Sequence, residues 1–246
     1  MDSPQLAGRV ALITGGAHRI GKALTLALAR AGMRVAVHYH DAAQEADDLI
    51  GELRSTSRDA IAFCADLSRP EASSELISAV AGQFGALDLL VNSAAVMWRT
   101  PFGEVSTDEW DAIFALNLRA PFFLCQAARP WLARNNGSIV NIADLAAFET
   151  WPAYVPHSIS KAGVVQMTRA LAHALAPEIR VNAVAPGAVL LPEGWDSGAA
   201  EHLINTTPLR RLGSPSDVAD AVLYLANSAY VTGETIIVDG GRHVRT

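Results

Sequence analysis

Short apolar runs alternate with longer segments whose apolar residues recur every three or four positions, from one end of the chain to the other. The first run, Val10-Ala11-Leu12-Ile13, passes through a glycine turn into an Ala/Leu-rich stretch reaching Ala31, then into Val35-Ala36-Val37. Continuous apolar runs this short mark strands buried on both faces. The 3.6-residue period marks a helix, so the opening predicts one βαβ unit. The alternation continues with helix 42–55, strand 60–64 ending at Asp66, helix 70–84, and strand 87–91 ending at Asn92. Residues 107–134 read as a helix with an acid-rich start at Thr107-Asp108-Glu109 and an interruption near Pro121. Gly137 turns the chain into strand 138–142. Helix 156–176, strand 179–184, a Pro/Gly-bearing loop 186–198, helix 215–227 and strand 235–238 complete the series. Seven apolar strands between helices predict an α/β chain: a Rossmann-type, doubly wound, mostly parallel sheet of seven strands, in a single domain spanning 1–246.

Composition narrows this without altering it. A chain of 246 residues at 50% hydrophobic fills a large core, and no Pro/Gly/Ser-rich linker divides it. The net charge of -6 argues against a nucleic-acid partner, which would need clustered Lys and Arg. The polar, acidic start Met1-Asp2-Ser3-Pro4-Gln5 does not resemble a signal peptide, and no run approaches about 18 apolar residues. A cytoplasmic protein with no membrane partner is therefore expected. Cys64 and Cys125 fall in apolar segments and are expected to be buried, reduced thiols. No metal centre is expected.

The turn Thr14-Gly15-Gly16-Ala17-His18-Arg19-Ile20-Gly21 joins the first strand to the first helix. Glycines there let a pyrophosphate approach a helix N-terminus, where free N–H groups and the helix dipole favour anions. Cofactor choice rests on the end of the second strand, His38-Tyr39-His40-Asp41. Tyr39 stands where an NAD-selecting carboxylate would, and Arg19 can approach from the turn, so NADP(H) is favoured. Asp41 argues the other way and leaves NAD(H) possible.

A second cluster lies between Asp144 and Lys161. Strand 138–142 delivers Asp144, and Pro156 opens a helix that carries His157 and Lys161 four residues apart on one face. An acid, an imidazole and an ammonium can thus meet at one spot. Trp98, Trp151 and Trp195 follow the fourth, fifth and sixth strands, at the sheet end where ligands bind, and suit a flat or apolar substrate. Glu193 in the same region is a weaker candidate to accept a hydrogen bond from substrate.

The ordered set formed by the glycine turn, Asp66, Asn92-Ser93-Ala94-Ala95, Asn117, the His157/Lys161 pair, Pro186-Gly187 and Val238-Asp239-Gly240-Gly241 resembles the short-chain dehydrogenase/reductase family over essentially the whole chain. Arg19 at the usual middle glycine, His38-Tyr39-His40, and Asp144 in place of a catalytic Ser look like its pteridine reductase branch. The resemblance implies that Gly15, Arg19, Ile20 and Gly21 hold the pyrophosphate and ribose, that Asp66 and Leu67 meet adenine, and that Asn92 meets the neighbouring ribose. Ala94, Pro186 and Gly187 belong to the same cofactor set. It also implies that Lys161 binds the nicotinamide ribose and tunes the proton donor, that Asn117 kinks its helix and holds a relay water, and that Asp144 orients substrate or donor. A homotetramer built on helices 107–134 and 156–176 is implied as well.

Two departures bear on the chemistry. The family's Tyr, four residues before Lys, is His157 here, and the aromatic that stacks on pterin is Met97. Imidazole delivers a proton readily only as imidazolium, and it is shorter than a phenol. Three readings stand open: His157 as donor, with reduction favoured at mildly acidic pH; another hydroxyl, chiefly Tyr154, as donor; or an impaired site. The expectation is an NADPH-dependent oxidoreductase reducing a carbonyl or conjugated C=N of a small, pterin-like substrate. The alternative is a cofactor-binding protein of low activity with a binding or regulatory role.

Overall fold

The computed structural model describes residues 6–56, 58–191 and 197–244. Its seven strands are β1 (Val10–Ile13), β2 (Arg34–Tyr39), β3 (Ala60–Cys64), β4 (Leu89–Asn92), β5 (Ser138–Ile142), β6 (Arg180–Pro186) and β7 (Thr235–Val238). They form one sheet in the order β3-β2-β1-β4-β5-β6-β7, and every pairing is parallel. The chain leaves β1 towards β2 and β3, then crosses back to β4. The strand order therefore reverses between β1 and β4, and a crevice opens above their carboxyl ends.

Parallel neighbours need crossover connections, and helices supply them on both faces. The helices are α1 (Arg19–Arg30), α2 (Ala43–Ser55), α3 (Ala72–Phe84), α4 (Thr107–Phe114), α5 (Ala120–Leu132), α6 (Val155–Ala174), α7 (Ser197–Thr206) and α8 (Pro215–Asn227). Residues of β1 alternate between two cores. Ala11 and Ile13 join Leu24, Leu28, Val218 and Val222 on the α1/α8 face, while Val10 and Leu12 join Leu76, Val80, Leu124 and Leu132 on the α3/α5 face. That is why the central strands read as unbroken apolar runs. The edge strand β7 is only half-buried along its length.

Three expectations are corrected here. The break in segment 107–134 falls at a π-helical turn, Ala115–Arg119, and not at Pro121, which sits in the first turn of α5 where a proline needs no N–H donor. The cause is Asn117, which sits inside that turn and turns its amide away to bond the backbone of Val96. Helix α7 was not foreseen in the stretch beyond loop 186–198. Cys125 is buried, but Cys64 ends β3 exposed and points its thiol at the His40 carbonyl. Both thiols are free. The start of α4 is better capped than the acidic run suggested: Ser106 and Glu109 form a reciprocal capping box.

Candidate active site

A cavity of about 990 Å³ lies over the carboxyl ends of the strands. Gly15, Arg19, Tyr39, His40, Asp66 and Leu67 line its β1/β2/β3 half; Asp144, His157, Lys161, Trp151 and Arg242 line the half beyond β4.

The glycine turn is shaped for close approach. Gly15 has φ +62°, and a Cβ there would come 3.1 Å from the Ala94 backbone. At Gly21 a Cβ would lie 1.9 Å from the Gly15 carbonyl, so helix and turn can pack only without a side chain. His18, the residue before α1, makes no side-chain cap, and the first turn carries no acid, so the helix N-terminus faces the cleft without a resident counter-charge. Arg19 adopts the left-handed conformation, φ 49°, which a side chain seldom takes. Its guanidinium crosses the cleft and donates to the Leu191 carbonyl at 3.4 Å. A space free of Cβ atoms at an uncompensated helix N-terminus fits a dinucleotide pyrophosphate.

His38 belongs to the cleft lining with Tyr39, and its ring is tied into the protein. It is buried. Its Nδ1 accepts from the Gly15 N–H at 3.1 Å, and its Nε2–H donates to the Ala65 carbonyl at 3.0 Å. These partners fix one neutral tautomer. Burial lowers its pKa to about 4, against the opposing effect of the Ala65 carbonyl. His38 thus ties the glycine turn to the end of β3, while Tyr39, His40 and Asp41 line the open cleft.

Beyond β4 the three reactive side chains do meet. Asp144 and Lys161 reach the site from β5 and α6, and α6 opens at Val155 with Tyr154 as its cap residue, outside the helix. His157 is buried. Its Nδ1 lies 3.1 Å from the Val96 carbonyl, which can only accept, so Nδ1 carries the proton in the neutral ring. Its Nε2 lies 3.7 Å from Asp144 Oδ2 and has no hydrogen-bond partner among the described residues. Asp144 Oδ1 accepts from the Ala146 N–H at 2.7 Å, which anchors the carboxylate and leaves Oδ2 for the imidazole. Lys161 Nζ donates to the Ile142 carbonyl at 2.8 Å; burial lowers it to about 8, with the Asp144 carboxylate opposing. Asn117 secures the group from behind: Oδ1 accepts from the Val96 N–H, and Nδ2 donates to the Val96 carbonyl and to Ser160 Oγ.

Other anticipated residues are distributed unevenly. Ile20, Ala94, Met97, Pro186 and Gly187 line the cleft. Asn92 does not: its amide is buried at 2.8 Å from Asn141 Oδ1, and Asn141 in turn donates to Thr168. It therefore ties β4 to β5 instead of facing a ribose. Trp98 is exposed and off the cleft, whereas Trp151 lines it and donates its indole N–H to Glu149 Oε2 at 2.9 Å. Tyr154 packs edge-on against Trp151. Glu193 and Trp195 lie outside the described residues. The motifs gave no sign of Glu149 or Arg242. Arg242 follows a strand whose end meets β6 only in the folded sheet.

A family profile described as "Enoyl-(Acyl carrier protein) reductase" matches residues 15–243. A solved structure from Sinorhizobium meliloti 1021, provisionally described as a short-chain alcohol dehydrogenase, superposes with a TM-score of 0.93 at 35% identity, covering 99% of this chain and 100% of the other. The chain belongs to the short-chain dehydrogenase/reductase family. It is also 35% identical, over 96% of its length and 97% of the relative's, to 3-oxoacyl-[acyl-carrier-protein] reductase of Synechocystis. A blue fluorescent protein from a metagenomic library, solved in complex with NADPH, matches with a TM-score of 0.91 at 32% identity, covering 97% and 99% of the two chains. As a short-chain dehydrogenase/reductase the protein is an NAD(P)-dependent oxidoreductase.

Proposed function

We propose that the protein is an NADPH-dependent reductase of a 3-oxoacyl ketone, with His157 as the proton donor. The observation that carries the reading is the buried, unpartnered Nε2 of His157, whose ring lines the cleft, is held by the Val96 carbonyl and sits beside Asp144. Similarity to a 3-oxoacyl-[acyl-carrier-protein] reductase supports the substrate class, and similarity to an NADPH-bound structure supports the cofactor. Gly15, Arg19, Ile20 and Gly21 would hold the dinucleotide's phosphates, with Tyr39, His40 and Asp66 at its adenosine end.

When bound, the nicotinamide supplies a hydride to the carbonyl carbon. The carbonyl oxygen then needs one proton, and a doubly protonated His157 can give it from Nε2, leaving an alcohol and a neutral ring. Because Nδ1–H stays on Val96 throughout, the proton moves only at Nε2. Asp144 Oδ2 stabilises the imidazolium before transfer, and the Lys161 ammonium supplies positive charge at the developing alkoxide.

The narrower pterin reading rests on Arg19, the His38-Tyr39-His40 run and Asp144, and it has less support. His38 is committed to the glycine turn, and Met97 offers no aromatic face for stacking. A homotetramer through α4, α5 and α6 accords with the exposed Trp110, Phe122, Phe123 and Ile159 on those helices. Among the described residues no helix is long and apolar enough to cross a membrane.

The test is NADPH oxidation with acetoacetyl thioesters, dihydropterin and simple ketones, in wild type and in His157→Phe. Turnover of the thioester that His157→Phe lowers at least 100-fold is the expected result. Turnover of dihydropterin alone would reverse the substrate assignment. Tight NADPH binding with no turnover of any substrate would favour a binding role.

A further inference from the structure

Among the described residues, Arg242 is a cleft-lining arginine that neither the dinucleotide nor the proton relay employs. It opens the 3-10 turn Arg242–Val244, just past β7. Gly187 packs on Asp239, so this segment sits beside the end of β6, on the far side of the sheet from Tyr39 and Asp66. Its side chain is only 13% exposed, and Nε and Nη1 are buried without a hydrogen-bond partner among the described residues. Its nearest carboxylate oxygen is Glu149 Oε2, 3.6 Å from Nε. That oxygen already accepts the Trp151 indole N–H at 2.9 Å. Glu149 therefore holds the guanidinium in place by charge but leaves its donors unmet.

Burying a guanidinium with open N–H groups is unfavourable unless a partner completes it. A planar set of donors matches a carboxylate or a phosphate better than any neutral group. We infer that Arg242 is a specificity residue that binds an anionic group on the substrate, at the end of the cleft remote from the adenosine half. The inference rests on the reductase reading and names its substrate class: a ketone that carries negative charge. The charge has two sources of the same chemistry. One is the carboxylate of a free short-chain oxo acid; the other is the phosphate of a thioester carrier.

Paired ketones separate these sources. Acetoacetate is compared with its neutral ethyl ester, and acetoacetyl-CoA with the neutral acetoacetyl N-acetylcysteamine thioester, in wild type, Arg242→Leu and Arg242→Lys. Wild type is expected to favour the charged member of one pair at least tenfold in kcat/KM. Arg242→Leu should erase that preference by raising KM for the charged member more than for the neutral one, and Arg242→Lys should restore part of it. The pair that responds identifies the anion. Equal rates on both members in wild type, or an equal loss on charged and neutral ketones in Arg242→Leu, would overturn the inference. If no ketone is reduced, the reductase reading fails on its own, and calorimetric binding of acetoacetate and CoA to the NADPH-loaded protein still decides. Binding lost in Arg242→Leu supports the role of Arg242. Binding unaffected by the change, or absent from wild type, rejects it.

Discussion

His157 Nε2 lies 3.7 Å from Asp144 Oδ2, and the opposite nitrogen of the same ring is held 3.1 Å from the Val96 carbonyl. A proton placed on Nε2 faces the Asp144 carboxylate, and the atom itself is buried. The distance is too long for a hydrogen bond in the neutral ring, so Asp144 acts on the donor by charge. Asp144→Asn keeps the shape and removes the charge. Its kcat for reduction is expected to fall at least tenfold, with NADPH affinity, read by fluorescence titration, unchanged within about twofold. An equal loss in affinity would make Asp144 a cofactor ligand.

His157→Tyr exchanges a donor that must first be charged for one that is not. In the neutral ring of the wild type the one proton is held on Val96, so none is offered from Nε2. The variant should hold its rate above neutrality. Rate–pH profiles of the two proteins on one ketone settle this, and a uniform collapse in the variant would make His157 a specific catalyst.

Lys161 has a folded-state pKa of about 8 against an ordinary 10.5, the cause being burial. Between those values the unfolded chain binds the proton that the folded chain has shed. The penalty of the buried charge is therefore full below pH 8, and stability rises with pH through the window, by about 3 kcal/mol. Cys125, pushed up to about 12 by burial, contributes the opposite slope above pH 9. Urea unfolding of Lys161→Met against wild type isolates the lysine, and the variant is expected to lose the rising component.

His38 has the same sign at lower pH. Its pKa falls from 6.5 to about 4 through burial, so the unfolded chain takes up a proton that the folded chain refuses. Stability is lost as pH drops from about 6.5 to 4, by roughly 3 kcal/mol. His38→Leu should flatten this acid limb and, by freeing the Gly15 N–H, weaken NADPH binding about tenfold. Thermal unfolding across pH and cofactor titration report the two effects separately.

Gly21→Ala would place a methyl 1.9 Å from the Gly15 carbonyl. Neither backbone can yield without opening the turn, so the variant is expected to lose more than about 2 kcal/mol and nearly all dinucleotide affinity. Retention of both would mean that the turn is softer than its packing indicates.

The strands and most helices were legible in the sequence because their cause is local. A strand buried on both faces must be apolar throughout, as β1 is, and a helix between layers must repeat its apolar residues every turn. The glycine turn and the α6 pair His157/Lys161 were legible for the same reason, since strand-to-helix placement and four-residue spacing fix their geometry. Helix α7 was not; a kink at Asn117 was expected by resemblance, but not its partner, the backbone of Val96, 21 positions away. Burial, too, depends on the whole packed chain. It made His38 a strut beneath the glycine turn in the cleft wall, drew Asn92 into the β4/β5 seam and left Cys64 exposed. Arg242 enters the site only because β7 pairs with β6. The sequence alone determined the sheet, the crevice and the identity of the reacting groups. Tertiary structure decided which nitrogen of His157 is bare and what faces it, because those contacts join segments far apart in the chain.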